Sequence, residues 1–164
     1  MATVSKTTPS DAANADLYER DYYQWIETQV HALRDKRVEE LDWANLAEEV
    51  EDLGRSQKHS VESQIARIIE HFLKLAYSPT QTRNRSRRGW ELSIREARHQ
   101  IRKLFGESPS LRRKTSDLYD DAYETGRTSA LTGLNLPDSA LPETSPWTLE
   151  QVLDDGFLPD GSGK

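Results

Sequence analysis

The sequence predicts an all-α protein: an up-down, four-helix bundle-like domain with a long second helix and a short C-terminal helix. Two observations carry this. Apolar residues recur three and four apart through most of the chain, and nowhere alternate as a half-buried strand would. The composition, 35% apolar and 30% charged with mean hydropathy −0.83, suits helices with wet outer faces. A sheet-centred fold would need continuous apolar strands. At 164 residues the chain can bury a core without staples. It has no cysteine, which excludes disulfides and zinc-thiolate sites and fits a reducing compartment.

The elements follow in order. Residues 1–15 are small and polar and read as a disordered arm; residues 16–159 read as one helical domain, and 160–164 as a tail. The first helix is expected from Asp16, with Glu19 completing a capping pattern and a stripe of Tyr18, Tyr22, Trp25, Ile26, Gln29 and Leu33. Asp42 can cap the second. Its stripe runs Trp43, Leu46, Val50, Leu53, Gln57, Val61, Ile65, Ile68, Phe72 and Leu75. The register does not slip across Gly54, so "EDLGRSQKHSVE" (51–62) reads as continuous helix, in a rod roughly 50 Å long. Ser78, Pro79 and "TQTRNRSRR" are expected to form the break after it. A third helix carries Trp90, Ile94, Ala97, Ile101 and Leu104 to Gly106. Ser108 and Pro109 open a fourth, through Leu111, Thr115, Leu118, Ala122, Thr125 and Ser129. Its small-residued end, "GRTSALTG", would let another backbone come close. After a proline-punctuated linker, Thr148 and Gln151 form a T-x-x-Q cap on a short last helix, which Gly156 can close.

Charge is strongly segregated. Residues 39–52 hold seven carboxylates and no base, while 81–114 hold eleven Lys/Arg against three Glu. Such blocks face each other within one molecule or face a partner.

The motifs "LDWANLAEEVEDLG", "HFLKL", "SIREARHQI", "SPSL" and "PWTLEQVLDDGFLP", in that order, resemble domain of unknown function family 29, a group of bacterial helical proteins. The likeness covers roughly 16–159. It implies an all-helical fold with no established activity, so it brings no catalytic residue with it.

Candidate chemistry is sparse. "EARH" places Glu96 and His99 at Glu-x-x-His spacing, as in a di-iron bundle, but at 100° per residue both fall opposite the third helix's seam. His71 alone lies beside a core stripe, and Glu48, Glu51 and His71 are the least implausible enzymatic set. The scattered single glycines make no phosphate loop. No metal or cofactor is expected. Arg83, Arg85, Arg88, Arg95, Arg98 and Arg102 form a candidate nucleic-acid or partner face. Glu91 within it, the net charge of −6 and the lack of interleaved aromatics weigh against nucleic acid. Tyr18, Tyr22, Tyr23, Trp25 and Trp43 could line a ligand pocket, but such residues at helical spacing are more often core. Gln57, Gln64 and His71 are the buried polar candidates. Trp147, Leu149, Val152, Leu153 and Phe157 make the last helix a self-docked lid or, less favoured, a docking helix for a partner.

No stretch approaches the roughly 18 apolar residues of a membrane span, and the N-terminus lacks a signal-peptide apolar region. The expectation is a cytoplasmic, non-enzymatic scaffold or protein-interaction module whose partner is a protein, a second copy included. A nucleic-acid-associated regulator is the alternative, and a metal-dependent enzyme the third.

Overall fold

The computed structural model of the protein describes residues 16–160. The arm expected over 1–15 lies outside them, as does all but the first residue of the expected tail. Among the described residues every regular element is helical: α1 (Tyr22–Arg34), α2 (Trp43–Tyr77), α3 (Thr80–Glu107), α4 (Pro109–Lys114), α5 (Tyr119–Leu134) and α6 (Leu149–Leu153). Short 3-10 turns lie at Val38–Glu40, Thr115–Leu118 and Asp138–Ala140. The long second helix is continuous through Gly54, as expected. The chain forms two compact units whose boundary, between Arg55 and Ser56, falls inside α2.

In the first unit, residues 16–20 are helical and the chain breaks at Asp21. Asp21 caps α1, its Oδ1 accepting from the Gln24 N–H at 3.1 Å. Asp16, expected to be the cap, instead pairs with Arg20 at 3.0 Å. Asp42 caps α2 as expected, accepting the Asn45 N–H at 3.3 Å. It also does more. Its Oδ2 receives the Trp25 indole N–H at 3.2 Å, and its own N–H donates to Gln29 Oε1 at 2.8 Å. Trp25, Gln29 and Asp42 are all buried, so this polar knot sets α1 antiparallel against the start of α2. Of the five aromatics expected as core, only Trp25 is fully buried; Tyr23 and Trp43 are exposed.

The second unit is a helical packing around Ile65, Ile68, Ile69, Phe72 and Leu73 of α2, Ile94, Ala97 and Ile101 of α3, and Ala122, Tyr123 and Ala130 of α5. The turn between α2 and α3 is only Ser78–Pro79; the arginine-rich "TQTRNRSRR" is helix, not loop. Proline forces only the residue before it out of helical geometry. Arg and Gln are good helix formers, so nothing delays the restart at Thr80. At the far end of the pair the Ser108 hydroxyl donates to Gln57 at 3.1 Å, which closes an antiparallel hairpin.

The expected single fourth helix is divided. Ser108 makes no capping bond to α4, and the chain tightens to a 3-10 turn at Thr115–Leu118 before α5. Thr115 Oγ1 bonds back to the Leu111 carbonyl at 2.9 Å, a local hydroxyl bond that bends helices. The break rotates the buried face of α5 to Ala122, Tyr123, Gly126 and Ala130, leaving the expected Thr125 exposed. Asn135, at φ 53°, ends α5: its N–H bonds to the Thr132 carbonyl and that of Leu136 to the Leu131 carbonyl. The T-x-x-Q cap on α6 forms in both directions between Thr148 and Gln151. Gly156 lies beyond the end of α6, donating to Asp154 Oδ1 at 2.9 Å.

Candidate docking groove

Two apolar stripes of the first unit converge on one open groove. From α1 come Tyr22, Trp25, Ile26, Gln29, Val30 and Leu33; from α2 come Leu46, Glu49, Val50 and Leu53. Their spacing of three and four puts each set on one helix face, and the antiparallel pair holds the two faces around a groove of about 280 Å³. The floor is the buried Trp25–Gln29 layer. The walls are wet: Leu53 is 69% exposed, Val50 67%, Leu33 50% and Tyr22 45%. Among the described residues nothing covers the seam read as core in this half of α2, and it stands as an exposed apolar surface. Scattered exposed apolar residues are ordinary, whereas a contiguous set around a cleft marks a contact surface.

Glu49 organises one wall. Its carboxylate accepts from the Tyr18 hydroxyl at 2.7 Å and from the Tyr22 hydroxyl at 2.5 Å. Both phenols are pushed above their ordinary range, first because they donate to Glu49 and then by burial. The three rings of Tyr18, Tyr22 and Trp25 pack with centroids 4.9–5.9 Å apart, so the wall is preorganised. Asp52, also of the acidic run, pairs with Arg55.

The expected arginine face is only partly a face. Arg98 is buried at 2% exposure and belongs to the core. Its Nε donates to the Val152 carbonyl at 2.9 Å and its Nη2 to those of Phe157 at 2.9 Å and Gln151 at 3.4 Å. Burial lowers its pKa, opposed by Asp155 and Asp154. Arg102 grips both oxygens of Asp155 at 2.5 and 2.6 Å. Arg83 donates to the Ser78 carbonyl at 2.9 Å. Arg85, Arg88 and Arg95 remain exposed. The C-terminal segment is held in cis by these bonds and by Phe72, whose ring lies 5.2 Å from Trp147 and 5.7 Å from Phe157. Val152 is fully buried, with Leu149 and Leu153 packed on the core. The self-docked arrangement is the one present.

Of the buried polar candidates, Gln57 is exposed, a correction. A helical period shows which side a residue faces, not whether anything covers it. Gln64 and His71 are half-buried, with Gln64 Oε1 and His71 Nδ1 enclosed. Sequence reasoning missed Asp42, Ser78 and Arg98 as buried polar residues, whereas Thr115 is buried on the stripe expected of it. Burial holds the His71 imidazole below its ordinary 6.5, helped by Lys74 and Arg67 and opposed by Glu70. The folded state therefore resists a proton that the unfolded chain accepts, and stability falls as pH drops through 6.5. The loss in denaturant stability between about pH 7.5 and 5.5 should be smaller in His71→Gln than in the wild type. Equal losses would show that His71 does not contribute.

Glu48 and Glu51 are exposed. Among the described residues no three His, Asp or Glu side chains converge as a metal site requires, and no helix is long and apolar enough to cross a membrane. Comparison with curated proteins finds no match, and comparison with solved structures finds none either. A family model does match, over residues 17–158, nearly the whole length and both compact units. The chain belongs to the family described as domain of unknown function DUF29.

Proposed function

We propose that the protein is a non-enzymatic interaction module whose first unit receives a helical segment of another protein in the α1–α2 groove. The observation that carries this is the contiguous exposed apolar wall of Tyr22, Leu33, Val50 and Leu53 around a preformed cleft. Full burial of such a side chain is favourable by about 1.5–3 kcal/mol; these are already partly covered, so each gains about half to two-thirds of that in a complex, and several together must outweigh the cost of association. The absence of cysteine supports a reducing, cytoplasmic setting. The nucleic-acid alternative keeps Arg85, Arg88 and Arg95, but Arg98 and Arg102 are engaged with the C-terminal segment.

The test is capture from the native cell with wild-type protein and with the double variant Val50→Asp, Leu53→Asp. Both positions are exposed, so the variant should keep its helix content and melting temperature. A protein retained by the wild type should fall by at least about tenfold with the variant, as hot-spot losses do. Identical sets of retained proteins would remove the groove from consideration.

A further inference from the structure

Resting on that reading, we infer that the groove's occupant is a cationic amphipathic helix of a different protein. Shape argues for a helix. Tyr22, Ile26 and Leu33 of α1 face the groove with Leu46, Val50 and Leu53 of α2, each at helical spacing on antiparallel helices. Two helices joined this way leave a slot into which a third can lay apolar side chains at i, i+3, i+4 and i+7.

Charge argues for its sign. The described part of the first unit, residues 16–55, carries twelve Asp/Glu against five Lys/Arg. On α2 the run through Glu48, Glu49, Glu51 and Asp52 meets no base before Arg55, and Glu49 is itself in the groove wall. A field of that sign draws lysines and arginines to the rim and repels a carboxylate-rich helix. It also disfavours a second copy docking through the same groove, because the two grooves would bring like charge together. Residues 1–15, "MATVSKTTPSDAANA", show no apolar helical period that could fill the slot from within the chain.

The experiment uses two labelled synthetic helices on the full-length protein, read by fluorescence anisotropy. Both carry leucines at i, i+3, i+4 and i+7; one has lysines on its polar face, the other glutamates. The lysine peptide should bind at least about tenfold more tightly, and weaken as salt rises. Its affinity should drop about tenfold or more with Leu53→Ala, and less with Glu51→Gln. Equal binding of both peptides, lost with Leu53→Ala, would overturn the cationic preference and leave the docking groove standing. Binding of the lysine peptide that ignores Leu53→Ala would overturn the inference as mere surface attraction. A concentration-dependent dimer abolished by Leu53→Asp would overturn it in favour of a second copy. Binding of neither peptide would overturn it too, with the capture experiment still deciding whether the groove takes any protein.

Discussion

Arg98→Met should lower stability by about 3–5 kcal/mol and release the C-terminal segment, because it leaves three carbonyls without their donor at about 1–3 kcal/mol for each one that stays buried. The reason lies in α6. A helix of five residues ends with carbonyls that have no partner within it, and Gln151 and Val152 supply two of them. Arg98, reaching from α3, donates to both and to Phe157 beyond, with its guanidinium carbon 5.4 Å from the Phe72 ring centroid. A positive group at a helix C-terminus is favourable, and here it is held out of water. Methionine matches much of the volume but donates nothing, so three carbonyls must stay unpaired or the segment must leave to find water. The second route sets a ceiling: the loss cannot exceed the docking free energy of the segment. Thermal melts should fall by roughly 2–4 °C per kcal/mol, and protease cleavage near 145–160 should accelerate. Arg98→Lys keeps the charge but loses the fork, and should fall between. Arg95→Met, exposed on the same helix, should stay within about 0.5 kcal/mol of wild type. An Arg98→Met protein that melts with the wild type would show that the segment is held by its apolar contacts alone.

Arg98 also shows what the sequence could have told. It lies four residues after Ile94 and three before Ile101, inside the buried arc of α3. The spacing was legible; the prior that arginine is almost never buried unpaired pointed the other way. Its partners are backbone carbonyls 53–59 residues later, which no local pattern encodes. Helix identity, the uninterrupted passage through Gly54 and the Thr148–Gln151 cap were readable because each is fixed by neighbours within one or two turns. The Ser78–Pro79 turn is shorter than the polar composition after it suggests, because helix propensity there is good enough to restart the helix at Thr80. The groove was hidden differently. Val50 and Leu53 continue the same period as Val61 and Ile65, yet the former pair is exposed and the latter sealed. Periodicity reports a face, while coverage depends on which elements come to lie on it.

Coverage also decides how the helical glycines answer one substitution. Gly126→Ala should cost about 1–3 kcal/mol net, although alanine gains about 1 kcal/mol of intrinsic helix propensity over glycine. A Cβ at Gly126 would stand 2.5 Å from the Ala66 carbonyl oxygen and 3.0 Å from Ile69 Cβ and Cγ2. Those atoms belong to the backbone and branched core of α2, so relief requires moving one helix off the other, and Gly126→Val should be worse. This is the close approach that the small-residued "GRTSALTG" foreshadowed. Gly133, two turns on, differs: its Cβ would meet only the Nζ and Cε of Lys74, the flexible end of a side chain that can swing aside. Gly133→Ala should therefore be near neutral. Gly54→Ala has nothing within 4 Å and should gain up to about 1 kcal/mol, the full propensity difference. Urea midpoints for the three variants test the order, neutral or better at Gly54 and Gly133 and clearly worse at Gly126. If Gly126→Ala matched Gly54→Ala, α5 would have room to retreat from α2, and the α2–α5 contact would be a loose one. If the order holds, the contact between α5 and α2 is set at backbone distance, and glycine at 126 is what permits it.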